Sequence, residues 1–196
     1  MYQLLFRGVC EMNQLIEGGL IKQIFDSTAI FSHDGKYRYL LKREWEKDGN
    51  NVLFIMLNPS TADAFVFDPT VKRCFDFAHA WGYTSMSVCN LYAFRSTDPK
   101  KLKAEIDPVG KDNNEWLYHA GSDARMIIAA WGTQGTLLRR DQEVITLITT
   151  DLGKDLYCLE MTKEGHPKHP LYMKGDTKPR LFHRQSGSIG GKDDRQ

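Results

Sequence analysis

The apolar run Val52-Leu53-Phe54-Ile55-Met56-Leu57 carries no charge and stops at Asn58-Pro59-Ser60-Thr61. Such a run is too short for a buried helix and fits a strand covered on both faces that breaks into a polar loop. The pattern recurs at Met86 to Ala93, Met126 to Trp131 and Leu156 to Leu159, each run again closing in polar residues. Between them the spacing predicts helices over about 71–81, 111–120 and 139–152, the first introduced by Asp68-Pro69-Thr70 and closed by Gly82. Strands alternating with helices call for right-handed crossovers and a parallel sheet.

The N-terminal third follows another rule. From Ser27 apolar and polar residues alternate, and Asp34-Gly35 separates two such stretches, which predicts a β-hairpin. Before it, Leu4, Leu5, Ile16, Leu20, Ile21 and Ile24 are spaced weakly as in a helix interrupted at Gly18-Gly19, so residues 1–25 are expected to be an appended helix or a partly mobile extension. Residues 184–196 are Ser, Gly, Lys, Asp and Gln-rich and are expected to be a disordered tail. The fold class expected is therefore α/β: one domain over 26–183, with three α/β/α layers on a four-stranded parallel sheet and an added N-terminal hairpin.

Composition narrows the chemistry. A net charge of +1 disfavours a protein that grips long duplexes by charge alone, though it allows a local basic face. No stretch approaches the ~18 apolar residues of a membrane span, and the first residues lack a secretory pattern, so a cytoplasmic protein without membrane partners is expected. Cys10, Cys74, Cys89 and Cys158 are far apart with no His at ligand spacing, so they are expected to be buried thiols; no metal and no cofactor is expected. Neither a Gly-x-Gly-x-x-Gly turn nor a Walker loop is present.

In open α/β sheets ligands bind beyond the carboxyl ends of the strands. There this chain places Asn58, Asn90, Trp131-Gly132, and His166 with His169. Asparagine offers a donor and an acceptor to a heterocycle edge, and histidine donates or relays a proton near neutral pH. The same residues have structural readings. Asn58-Pro59 is an ordinary turn pair, Asn90 could satisfy backbone groups, Asp68-Pro69-Thr70 is a helix start, and Trp131 is core or a pocket wall. The two histidines between prolines are harder to explain without a function.

Leu57-Asn58-Pro59-Ser60-Thr61-Ala62-Asp63, Asp68-Pro69-Thr70, Trp81-Gly82-Tyr83, Asn90-Leu91-Tyr92-Ala93, Ala130-Trp131-Gly132 and Gly165-His166-Pro167-Lys168-His169-Pro170-Leu171 together resemble DUF1643, an uncharacterised bacterial and phage family. The order of the strand ends is also similar to the uracil-DNA glycosylase superfamily. That resemblance implies a nucleobase-processing enzyme whose partner is a nucleic acid or nucleotide. Asn58 would orient water, Asn90 would read the base, His169 would stabilise the departing base, and Leu171 would wedge into the duplex. Asp63 or Asp68 would supply negative charge near the sugar. Ser60, Thr61, Trp131 and His166 would line the substrate pocket, and Arg95 would contact phosphate. Met56 or Leu57 replaces the superfamily's Gly, and Ser60 to Asp63 replaces its usual sequel to the first motif, so a base other than uracil is implied. A base-modifying or transferase enzyme and a non-catalytic nucleotide or nucleic-acid binder are the alternatives.

Overall fold

The computed structural model describes residues 4–16, 19–47, 49–61 and 66–187. Eight strands form one mixed sheet in the order β1-β2-β3-β5-β4-β6-β7-β8. They are β1 (Leu4–Ile16), β2 (Gly19–Phe31), β3 (Arg38–Glu44), β4 (Asn51–Met56), β5 (Ser85–Asn90), β6 (Met126–Ala129), β7 (Leu156–Cys158) and β8 (Arg180–His183).

The middle of the sheet is β5-β4-β6-β7, all parallel, with Val52 facing Met86 on one side and Met126 on the other. Every residue of β4 and β5 is buried, and apart from Asn51 and Asn90 their sequences are apolar or small. Alternate residues of β4 then serve two cores. Val52, Phe54 and Met56 pack with the helix α1 (Pro69–Ala80) through Val71, Cys74, Phe75 and Ala78. Leu53 and Ile55 pack with Leu117 and Ala120 of α3 (Asn113–Asp123) and with Val144 of α4 (Arg140–Thr146). A short α2 (Pro99–Ala104) precedes α3.

Two features depart from the sequence expectation. The expected four parallel strands and the hairpin, β2-β3, are present, but the sheet gains a further antiparallel strand at each edge, β1 and β8. Leu4–Ile16 and Gly19–Phe31 are the paired strands β1 and β2 instead of a helix, with the register running from Leu4↔Phe31 to Ile16↔Gly19. The Leu and Ile spacing there also satisfies a strand pair, and long-range pairing with β3 decides the outcome. The third predicted helix, over about 139–152, is found as α4 continued by a π-helical turn at Leu147–Asp151, and its start is set by Leu138 and Arg139, whose φ of 54° and 56° break the chain just before Arg140. The expected Asp34-Gly35 turn is present, with the Asp34 carboxylate accepting from the Ser32 hydroxyl and the Lys36 amide.

Of the expected tail, residues 188–196 lie outside the described residues. Cys74, Cys89 and Cys158 are buried free thiols, and the Cys10 side chain is outside the described part. Among the described residues no helix is long and apolar enough to cross a membrane.

Candidate functional site

Beyond the carboxyl ends of β4, β5 and β6, on the α1 side of the sheet, lies a cavity of about 870 Å³. Its walls come from elements distant in sequence. Asn58 and Ser60 follow β4, Asn90 ends β5, Trp131 and Gly132 follow β6, and Lys168, His169 and Leu171 arrive from the loop after β7. Asp68 and Thr70 add the N-terminus of α1, and Arg38 enters from β3.

The loop carrying His169 is firmly placed. The Gly132 amide donates to the Pro167 carbonyl at 2.9 Å, Lys168 N to Glu160 O at 2.8 Å, and Thr162 N to His166 O at 2.8 Å. Arg73 of α1 donates to the Met173 carbonyl, and Trp81 Nε1 to Thr177 O at 3.2 Å, so the loop is tied down on α1. His169 itself caps the 3₁₀ turn Pro170–Tyr172, its Nδ1 accepting from the Leu171 amide at 3.3 Å. A neutral ring that accepts at Nδ1 carries its proton on Nε2, which makes His169 a donor. Burial lowers its pKa below the usual 6.5, with nearby Asp68 offsetting part of that.

This has a consequence for stability. Because folding favours the neutral ring, His169 contributes stability that is complete above about pH 6.5 and is lost as pH falls through its lower folded value. The melting temperature is expected to fall more steeply between pH 7 and pH 5 in the unaltered protein than in His169→Asn, which retains a capping acceptor. Parallel curves would contradict it.

Asn58 uses its amide nitrogen on three carbonyls, those of Ser96 at 2.7 Å, Pro59 at 3.3 Å and Phe94 at 3.5 Å. Since all three partners are acceptors, the orientation of the amide is determined, and the oxygen is left as an acceptor. Asn90 is different. It is 2% exposed, its main-chain carbonyl accepts from Asn113 Nδ2 at 3.1 Å, and its side-chain amide has no hydrogen-bond partner among the described residues. Ser60 Oγ is likewise buried and unpaired. Trp131, 2% exposed, presents a flat wall.

Other candidates lie elsewhere. Arg95 donates to the carbonyls of Gly35 and Thr61 and its guanidinium sits 5.0 Å from the Phe31 ring centroid, so it braces loops and is not in the cavity wall. Thr61 is exposed and participates through that carbonyl. His166 lines a separate cavity of about 250 Å³ with Asp141, Glu164 and His183, and Trp131 borders both cavities. Asp63 lies outside the described residues. Leu171, 44% exposed, stands at the cavity rim. Among the described residues no three His, Cys, Asp or Glu gather as metal ligands.

Sequence reasoning did not single out Arg38, which looked like one more charge on an alternating strand. Its only signal was a position between Tyr37 and Tyr39 at the strand's start, which does not reveal that antiparallel pairing with β5 brings that start beside Asn90.

An α/β protein with a pocket at the ends of its parallel strands, its largely apolar wall carrying a few polar side chains, is thus defined. A family model described as "Protein of unknown function (DUF1643)" matches residues 38–171, and the chain belongs to that family. The matched span runs from Arg38 to Leu171 and so contains the residues of the cavity wall up to its rim. No curated protein and no solved structure matches the chain.

Proposed function

We propose that the cavity binds a nucleobase-bearing ligand and that the protein is a metal-independent, glycosylase-like hydrolase. The observation that carries the reading is Asn90, a buried amide with donor and acceptor both unspent, set in the wall of a cavity of base-and-sugar size. Leaving such a group unpaired costs about 1–3 kcal/mol, which a ligand edge with complementary polarity recovers. Trp131 offers a face for a planar ring. His169 Nε2–H donates to the base as negative charge develops on it, while Asn58 Oδ1 orients the attacking water. Asp68, in the cavity wall with one oxygen accepting from the Val71 amide at 2.8 Å and the other left over, is the described acid that would supply negative charge near the sugar.

The test is release of free base, read by mass spectrometry. The full chain would be incubated with single- and double-stranded oligonucleotides carrying uracil, mismatched thymine or modified bases, and with a panel of nucleosides and nucleotides. One of them is expected to lose its base. No release from any, with a folded protein, removes the hydrolytic reading.

The unpaired Ser60 hydroxyl favours a second reading, a nucleobase-modifying or transferase enzyme, because orienting water does not require it. Nucleosides from cells with and without the gene would then differ in mass. A purely binding role predicts that variants at Asn58 and His169 lose affinity in step with function.

A further inference from the structure

We propose that Arg38 anchors the phosphate of a free nucleotide in this cavity; the nucleotide part of that assignment rests on the nucleobase reading above. Arg38 is 5% exposed and lines the cavity, yet its guanidinium makes no hydrogen bond and no ion pair among the described residues. Only its main chain is engaged, the amide donating to the Ala93 carbonyl at 2.9 Å. Buried cations in proteins are paired, because an unpaired one forfeits its hydration without return.

The neighbourhood does not supply that pairing. Burial draws the guanidinium down to about 10, with Asp68 offsetting part and Arg95 and Arg43 adding to the depression. The group therefore stays charged at neutral pH, in the company of two further arginines and one acid. Arg95 is committed to the carbonyls of Gly35 and Thr61, which leaves Arg38 to face the cavity. A planar guanidinium with five donors suits a phosphate above other anions. Thr70 in the first turn of α1 and the unpaired Ser60 hydroxyl lie in the same wall and add donors for phosphate oxygens.

The burial also chooses the source of the phosphate. The backbone of a duplex is met by exposed lysines and arginines at a protein surface, whereas Arg38, a buried residue in the cavity wall, is reached by a phosphate that enters the cavity with its nucleoside. A cavity of about 870 Å³ accommodates base, sugar and phosphate together.

The experiment is titration calorimetry of the full chain with a panel of nucleosides, their 5′-monophosphates, single-stranded oligonucleotides and inorganic phosphate at matched ionic strength. For the preferred base, the monophosphate is expected to bind at least tenfold more tightly than the nucleoside. Arg38→Gln should erase that gap, so that the monophosphate binds the variant no more tightly than the nucleoside does, and Arg38→Lys should retain part of it. Melting of the unaltered protein gives a check independent of any variant: phosphate should raise the melting temperature above chloride at equal ionic strength.

Equal affinities, a gap that survives Arg38→Gln, or tighter Arg38-dependent binding of oligonucleotides would overturn the proposal. If nucleosides bind and lose their base with no effect of the phosphate, the anchor fails and the glycosylase reading stands. If inorganic phosphate binds through Arg38 while no nucleoside or nucleotide binds, the nucleotide assignment and the nucleobase reading fall and only an anion site remains.

Discussion

Replacing His169 with alanine is expected to lower kcat for base release by roughly 10²–10³-fold while KM changes little, the signature of a contact made mainly in the transition state. The reason lies in the ring's protonation state. With Nδ1 held by the Leu171 amide and the pKa depressed by burial, the ring at neutral pH is uncharged and donates only through Nε2. A neutral base in the ground state gains modestly from that donor. The same base, leaving with the bonding electrons, gains much more, and differential binding of this kind is what accelerates a reaction. Asn90→Ala should behave differently, raising KM more than it lowers kcat, because on the proposed reading Asn90 would meet the base edge both before and during cleavage. His169→Asn separates chemistry from architecture: asparagine is a good helix-cap residue and should preserve the 3₁₀ turn, yet it should lose nearly as much turnover as alanine. Steady-state kinetics on the substrate found in the product screen decides this, and an asparagine variant with ordinary kcat would exclude His169 from the chemistry.

How far the sequence discloses this site depends on how local each feature is. The parallel strands are legible because burial on both faces demands unbroken apolar runs such as Val52 to Met56, and Asp34-Gly35 is legible because turn chemistry is local. β1 is not, since its character is set by partners that no short window reveals. β8 is an edge strand whose Arg180 is exposed and whose other residues are half-buried, so its pattern is weak. Within the site, strand ends are predictable places, and Asn58, Asn90, Trp131, His169 and Leu171 do meet at one cavity. His166 does not join them, because the bridge between Met161 and Pro167 puts it and His169 on different sides of the loop. Arg38 escapes notice for a related reason. A charge in an alternating strand reads as solvated, and only the sheet order turns it inward.

The wall that carries Asn90 is itself held from the opposite core, and Arg140 is where that support should fail. Arg140 is 2% exposed; its Nε donates to the Leu91 carbonyl at 2.9 Å, its Nη1 to Glu143 at 2.9 Å and its Nη2 to Asn114 Oδ1. Asn113 donates to the carbonyls of Asn90 and Leu91 at 3.1 and 3.0 Å, so two side chains clamp the end of β5 just where Asn90 enters the cavity wall. Charge-assisted hydrogen bonds to buried acceptors are worth about 1.5–3 kcal/mol each, and methionine restores volume but no donors. Arg140→Met is therefore expected to cost about 2–4 kcal/mol in urea unfolding and roughly 4–16 °C in melting temperature for a chain of this size. Glu143→Ala is the control. Its side chain is 61% exposed, and breaking a solvated pair should cost no more than about 1 kcal/mol. If loss of the Glu143 pair proved as costly as loss of Arg140, the ion pair and not the grip on Leu91 would be the support. Because Asn90 immediately precedes Leu91, the folded fraction of Arg140→Met should also bind nucleoside more weakly than the unaltered protein, which links the stability of the clamp to the precision of the pocket.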